Sequence, residues 1–169
     1  MLRLRPYKKC DAKQIVSWIN DERIFRLWCI DRYKNYPISA EDMNEYYENT
    51  SFEDNFYPMT AFDETGAVGH LLMRFTDENK KILRFGFVII NPLARKKGYG
   101  QEMIRLALKY AFEILKTEKV TIGVVDSNLA AYNCYIKAGF TPVQNAEKLH
   151  YDFHGEDWCI EELECSGVK

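Results

Sequence analysis

The sequence predicts a single α/β (α+β) domain spanning residues 1–169. Its expected core is a mixed, mostly antiparallel twisted sheet of about six to seven strands, flanked by about four helices, with a parallel β-α-β unit at its centre. Three observations lead there. Two hairpin signals follow one another before residue 90, as in an antiparallel meander. From Ile82 to Val125 a strand-like run, a long amphipathic stretch and a second apolar run succeed one another, the order of a parallel crossover. No internal repeat, low-complexity segment or linker interrupts the chain.

Leu2-Arg3-Leu4-Arg5-Pro6 alternates at period two and is closed by proline, which reads as an opening strand. Asp11 is placed to cap a helix carrying Ile15, Val16, Trp18 and Ile19. Between Asp21 and Tyr36 the periodicity blurs, with Phe25, Trp28, Tyr33 and Tyr36 scattered among charges. Ser39 and Asp42 form a capping signal for a short helix bearing Met43, Tyr46 and Tyr47. Strands are expected at Tyr57–Phe62 and Ala67–Phe75, joined by the turn Asp63-Glu64-Thr65-Gly66. Asp77-Glu78-Asn79-Lys80 turns the chain into the apolar run Ile82–Ile90.

A helix is expected from Gly100 to Leu115, because Ile104, Ala107, Leu108, Ala111 and Leu115 share one face opposite Glu102, Arg105, Lys109, Glu113 and Lys116. Val120–Val125 reads as a buried strand. Asp126-Ser127-Asn128 supplies helix-start chemistry for Leu129–Ala138, and Gly139 a left-handed stop. Phe140–Val143 and Leu149–Phe153 return to strand character, and a turn at residues 154–157 leads into a last strand, Trp158–Leu163.

Composition narrows the function. A formal net charge of -2 argues against binding nucleic acid through a general basic surface. No apolar run is long enough to span a bilayer, and Met1–Pro6 has no signal-peptide core, so no membrane partner is expected. Five cysteines without a Cys-x-x-Cys pair, and three histidines without zinc spacing, point to reduced thiols in the cytoplasm and no metal.

The stretch with the most chemical content is Asn91-Pro92-Leu93-Ala94-Arg95-Lys96-Lys97-Gly98-Tyr99-Gly100-Gln101, a basic, glycine-containing loop between a strand and a helix. Such a loop can direct backbone N–H groups at a phosphate, since Gly98 and Gly100 permit close approach and the helix N-terminus adds partial positive charge. The dinucleotide fingerprint fails because Gln101-Glu102-Met103 supplies no third glycine, and a Walker loop fails because no Lys-Ser/Thr follows. Asn128, Ala131 and Tyr135 are spaced three and four apart and so share one helix face.

Arg95-Lys96-Lys97-Gly98-Tyr99-Gly100 resembles the Arg/Gln-x-x-Gly-x-Gly/Ala signature of the GNAT superfamily of acetyl-CoA-dependent acetyltransferases. Asn128-x-x-Ala131-x-x-x-Tyr135 and the helix exit Ile136-Lys137-Ala138-Gly139-Phe140 resemble two further family patterns. The resemblance implies a GNAT-like fold and transfer of an acetyl group from acetyl-CoA to a primary amine in a ternary complex. It implies that Arg95, Lys96, Lys97, Gly98, Tyr99, Gly100 and Gln101 hold the pyrophosphate. Asn128 and Ala131 would meet the pantetheine arm, with Val88 and Ile90 contributing backbone groups. Tyr135 becomes the general-acid candidate, with Tyr132 as the second phenol, and the N–H of Val88 or of an immediate neighbour becomes the oxyanion donor.

The chain departs from the family pattern at the general base. Where many relatives carry a strand glutamate, Leu83-Arg84-Phe85-Gly86-Phe87 offers Arg84. His70 is a candidate base or a structural histidine, Asp126 reads as a helix cap and Glu64 as a turn residue, so the base stays unassigned. Acceptor choice is expected from residues 18–47 and 149–158, whose aromatics and mixed charges suit a small amine, a peptide N-terminus or a protein lysine. Relatives often form dimers, which makes a homodimer one expected assembly. The rival reading is a non-catalytic acyl-CoA-binding sensor or regulatory module of the same fold.

Overall fold

Helices first collect on the N-terminal side. In the computed structural model, which describes residues 1–50 and 55–167, β1 (Arg3–Pro6) is followed by α1 (Ala12–Ser17), α2 (Glu22–Cys29) and α3 (Ala40–Thr50). Next come β2 (Phe56–Asp63), β3 (Gly66–Phe75), β4 (Ile82–Ile90), α4 (Tyr99–Lys109), β5 (Lys119–Val125) and α5 (Leu129–Ala138). β6 (Thr141–Pro142), β7 (Leu149–Phe153) and β8 (Glu156–Ser166) close the chain. The spatial order is β1-β2-β3-β4-β5-β8-β6, with β7 paired to β8, and among the described strands only β4 and β5 run parallel. The mixed, mostly antiparallel sheet with its parallel crossover is therefore as the sequence predicts. Its described strands number eight and its α-helices five.

The additional helix is α2, in the stretch where periodicity blurred. Asp21 caps it by accepting from the Ile24 amide at 2.7 Å, and Phe25, Trp28 and Cys29 form its buried stripe. The expected Ser39–Asp42 capping box is present in both directions. Asp11 behaves differently from a simple N-cap. A 3₁₀ turn at Lys9–Asp11 moves the start of the helical segment back to Lys8, and Asp11 reaches back to accept from the Lys8 amide at 2.9 Å. The helix expected to run to Leu115 leaves α geometry at Lys109 and continues as a π turn, Tyr110–Ile114.

Two clusters of buried side chains lie on opposite faces of the sheet. Leu71, Met73, Leu83, Phe85, Val120 and Ile122 pack with Ile104, Ala107 and Leu108 of α4, and with Tyr135 of α5. Leu72, Phe87 and Ile89 pack instead with Ile15, Phe25, Trp28, Met43 and Tyr47 of α1–α3. Odd-numbered residues of β4 thus change faces between Phe85 and Phe87. A β-bulge causes the switch: His70 pairs with Ile89 and Leu72 with Gly86, so Phe87 and Val88 together oppose Leu71. Phe87 has φ +50°, a left-handed conformation that is costly for a bulky residue.

The bulge coincides with a split in the sheet. β4 pairs with β5 only from Ile82 opposite Lys119 to Phe85 opposite Ile122. Beyond Phe85 the two strands separate, and the β5-facing edge of residues 86–90 has no strand partner among the described residues.

Candidate active site

The split opens into a cavity of about 480 Å³. Phe85, Gly86, Phe87 and Val88 line it from β4, and Ile122, Gly123, Val124 and Val125 from β5. Asn128, Ala131 and Tyr135 enter from α5, on the α4 face of the sheet, while Leu27, Trp28 and Arg32 enter from the α2 side. The cavity is therefore a passage between the two faces. Of the residues singled out from the sequence, Val88, Asn128, Ala131 and Tyr135 meet here.

Asn128 caps α5 by accepting from the Ala131 amide at 3.3 Å, which fixes its side chain at the mouth of the split. Tyr135, one turn on from Ala131, is only 6% exposed and packs against Phe140 at 6.2 Å between ring centroids. Burial, and secondarily the Cys134 thiol, raises the Tyr135 phenol well above its ordinary pKa, so the hydroxyl remains a proton donor. Tyr132 packs against the main core and does not line the cavity.

The residues 95–101, together with Ile90, stand outside the cavity lining, at the C-terminal end of β4. Gly98 is the N-cap of α4 with φ +81°, and no side chain caps the helix. Among the described residues nothing accepts from the amides of Tyr99, Gly100 or Gln101, leaving the donors that an anion would use. Gly100 lies against α5: an added Cβ would meet Cys134 Sγ at 3.3 Å and Ile90 Cγ1 at 3.7 Å. Two side chains are already committed elsewhere. The Tyr99 hydroxyl donates to Asp63 at 2.8 Å, and the Gln101 amide donates to the Lys137 carbonyl on α5 at 2.9 Å. Their part in holding an anion would fall to their backbone N–H groups. Arg95, Lys96 and Lys97 make no ion pair among the described residues.

Of the base candidates, His70 is fully buried, 2.6 Å from the Tyr47 hydroxyl, and burial drives its pKa down to about 3. It is a neutral core histidine outside the cavity. Glu64 pairs with the N-terminal ammonium, and Asp126 accepts from the Ser127 amide. Arg84 lines the cavity but is held by Glu162 of β8 in a bidentate pair, with Thr121 at 3.4 Å. That pair occupies the space above Gly123, where an added Cβ would stand 2.8 Å from Arg84 Nη2.

The segments expected to set acceptor choice, residues 18–47 and 149–158, reach the cavity wall, with Trp28 and Tyr46 among its aromatics, but sequence reasoning singled out none of the charged side chains or the histidine they bring there. His150 on β7 lines the cavity, with Nδ1 2.9 Å from Asp157 across the β7–β8 hairpin. Asp31, Arg32 and Arg74 also contribute, from two separate parts of the chain. Only the pairing of β7 with β8 and the packing of α2 on the sheet bring them together, and no local spacing reports that.

The family profile described as acetyltransferase (GNAT) domain matches residues 1–141. A spermidine N(1)-acetyltransferase of Escherichia coli K12 is 24% identical over 141 residues, covering 83% of this chain and 73% of the relative. The acetyltransferase PseH of Campylobacter jejuni is 23% identical over 171 aligned positions, covering 99% of both chains. Among solved structures, the spermidine N-acetyltransferase of Vibrio cholerae in complex with CoA and spermine superposes with a TM-score of 0.82 at 21% identity. That match covers 98% of this chain and 95% of the other.

Proposed function

The chain belongs to the GNAT acetyltransferase family and acetylates an amino group; on that premise we propose that it does so by direct attack of a primary amine on acetyl-CoA within the split between β4 and β5. The carrying observation is the end of β4–β5 pairing at Phe85, which leaves Val88 facing Asn128, Ala131 and Tyr135 across one cavity. Pyrophosphate would rest on the free amides of residues 99–101, with Arg95, Lys96 and Lys97 adding screened attraction. Pantetheine would pass Ile90, Asn128 and Ala131 into the split. The N–H of Val88 would donate to the thioester oxygen as it gains charge, and Tyr135 would protonate the departing thiolate.

A neutral amine is needed for attack. Of the cavity-lining side chains only Asp31 and His150 can accept a proton, since Cys29 is held protonated by burial, with its thiol raised to about 11. His150 is the better placed, because Asp157 engages one ring nitrogen and leaves the other free. We assign it the proton, taken directly or through one water. His150→Gln should reduce kcat by about 100-fold or more at unchanged acetyl-CoA affinity, the scale of a lost general base. A variant that keeps its full kcat removes His150 from the reaction.

The phosphate-loop assignment has its own test. Gly98→Val puts a β-branched residue at φ +81° in open space, so its cost is in the backbone. Gly100→Val instead crowds Cys134 and Ile90. Gly98→Val should weaken acetyl-CoA binding roughly tenfold, measured by calorimetry, as a left-handed backbone cost of about 1–2 kcal/mol implies, and Gly100→Val should weaken it by pressing the start of α4 away from Cys134 and Ile90. Unchanged affinity in both variants refutes the loop.

Covalent catalysis through Cys134 is disfavoured, because burial raises its thiol and no described base bonds to it. Initial rates against both substrates should therefore give intersecting lines, and parallel lines would indicate an acetyl-enzyme. The acceptor is a small amine in this reading, since the named relatives include spermidine acetyltransferases. Among the described residues no helix is long and apolar enough to cross a membrane, and all five cysteines are free, which supports a cytoplasmic setting. The transferase domain is taken as residues 1–169, because β8 lies between β5 and β6 and completes the sheet.

A further inference from the structure

The named relatives invite a polyamine as acceptor, but the charge on the acceptor side of the cavity has the opposite sign. Arg74 on β3 and Arg84 on β4 are direct cross-strand partners, so two guanidiniums stand side by side on one face. Like charges in that relation are destabilising unless something between them is negative. Glu162 neutralises Arg84. Arg74 is half-buried, lines the cavity and forms no ion pair with any described residue. Arg32, just beyond α2, lines the same cavity and is also without an ion pair among the described residues. Burial, then the charges of Arg32 and Arg84, lowers the pKa of Arg74, so Arg74 lies within reach of both other cations. Counting Asp31 and Glu162, three guanidiniums face two carboxylates.

The arginines do not belong to the donor half of the site. Leu71, Met73 and Phe75 flank Arg74 in sequence and pack on the α4 face, so Arg74 projects from the opposite face, beside Leu72. Tyr46 of α3 feels both Arg32 and Arg74. The phosphate loop opens α4, whose buried stripe packs on the other face of the sheet.

Resting on the acetyl-transfer reading above, we infer that Arg74, with Arg32 beside it, receives a carboxylate or phosphate carried by the acceptor, which makes the substrate an amine with an anionic group rather than a polyamine. A guanidinium fork suits either oxyanion, because both present two oxygens at matching spacing. The same field would repel a polycation from the cavity mouth.

The experiment compares matched amines at saturating acetyl-CoA: β-alanine with its methyl ester, O-phosphoethanolamine with ethanolamine, and spermidine. In the wild type the charged member of a pair should have the higher kcat/KM, and the preferred pair identifies carboxylate or phosphate. In R74Q the ratio of charged to uncharged member should fall roughly 10- to 100-fold, the effect of losing a hydrogen bond to a charged group. R32Q, at an exposed position outside the sheet, should lower the same ratio and guards against a folding defect in R74Q. Spermidine or the uncharged amines preferred throughout, with ratios unmoved in both variants, would overturn the inference and leave acetyl transfer intact. If no amine is acetylated, melting temperature with CoA plus each amine decides. Stabilisation by the anionic amines that R74Q abolishes upholds the anion site and refutes transfer, while no stabilisation refutes both.

Discussion

Tyr135→Phe is expected to lower kcat for acetyl transfer by about 100-fold or more, the lower bound for losing a positioned general acid, while acetyl-CoA binds as before. The substitution removes one oxygen from a side chain that is 6% exposed and packed against Phe140, so the ring and the helix face should persist. Tyr135 lines the split with Asn128 and Ala131, where a departing thiolate would form. Burial and the neighbouring Cys134 thiol hold the phenol protonated beyond its usual range. The alkaline fall in kcat should therefore not begin at the ordinary tyrosine pKa, near 10. Stopped-flow turnover with parallel calorimetry checks both statements. Equal turnover in the two proteins would remove Tyr135 as the acid.

The second large effect concerns stability. Asp11 is 5% exposed and takes four hydrogen bonds from nitrogen and oxygen donors, Arg5 Nη1 at 2.7 Å, Arg5 Nη2 at 2.8 Å, the Lys8 amide at 2.9 Å and Thr60 Oγ1 at 2.8 Å, besides a long one from the Cys10 thiol. It thereby joins β1, the entry to α1 and β2. Asp11→Ala leaves the Arg5 guanidinium without its carboxylate, together with a buried threonine hydroxyl. The expected loss is about 3 kcal/mol, the lower end for breaking one side of a buried ion pair, because Arg5 keeps partial access to water. Burial alone would raise the Asp11 pKa, but the bonds from Arg5, Lys8 and Thr60 together outweigh it and hold the carboxyl below its usual value. Its contribution is thus complete above the unfolded pKa, near 3.9, and is lost as pH falls through the lower folded value. Urea unfolding of both proteins should show a stability gap that is wide at neutral pH and narrows in acid. A gap independent of pH would contradict this assignment.

Legibility from sequence followed the range of the interaction involved. The loop at residues 95–101, the Asn128 cap, the face shared by Ala131 and Tyr135, and the Gly139 stop at φ +116° are local arrangements whose spacing is written in the chain. The bulge that turns β4 was not legible. Its left-handed residue is Phe87, not a glycine or asparagine, and tertiary packing against Trp28 and Tyr33 holds it there. Helix α2 was obscured for a related reason: its aromatics pack on the sheet while charges fill the intervening positions. Arg84 was visible as an anomaly, but its partner Glu162 lies 78 residues away, so only the sheet could explain it. His150 and Arg74 joined the site by the same non-local route.

We propose direct transfer from acetyl-CoA to an amine within the split between β4 and β5. Its most direct test is the time course of free-thiol release from acetyl-CoA, followed with and without amines from the acceptor panel. Direct transfer gives thiol release that depends on the amine and matches acetylated product one for one, with no burst in its absence. Tight acetyl-CoA binding with no amine-dependent release from any acceptor would contradict it and indicate a coenzyme sensor, and a burst without amine would indicate an acetyl-enzyme.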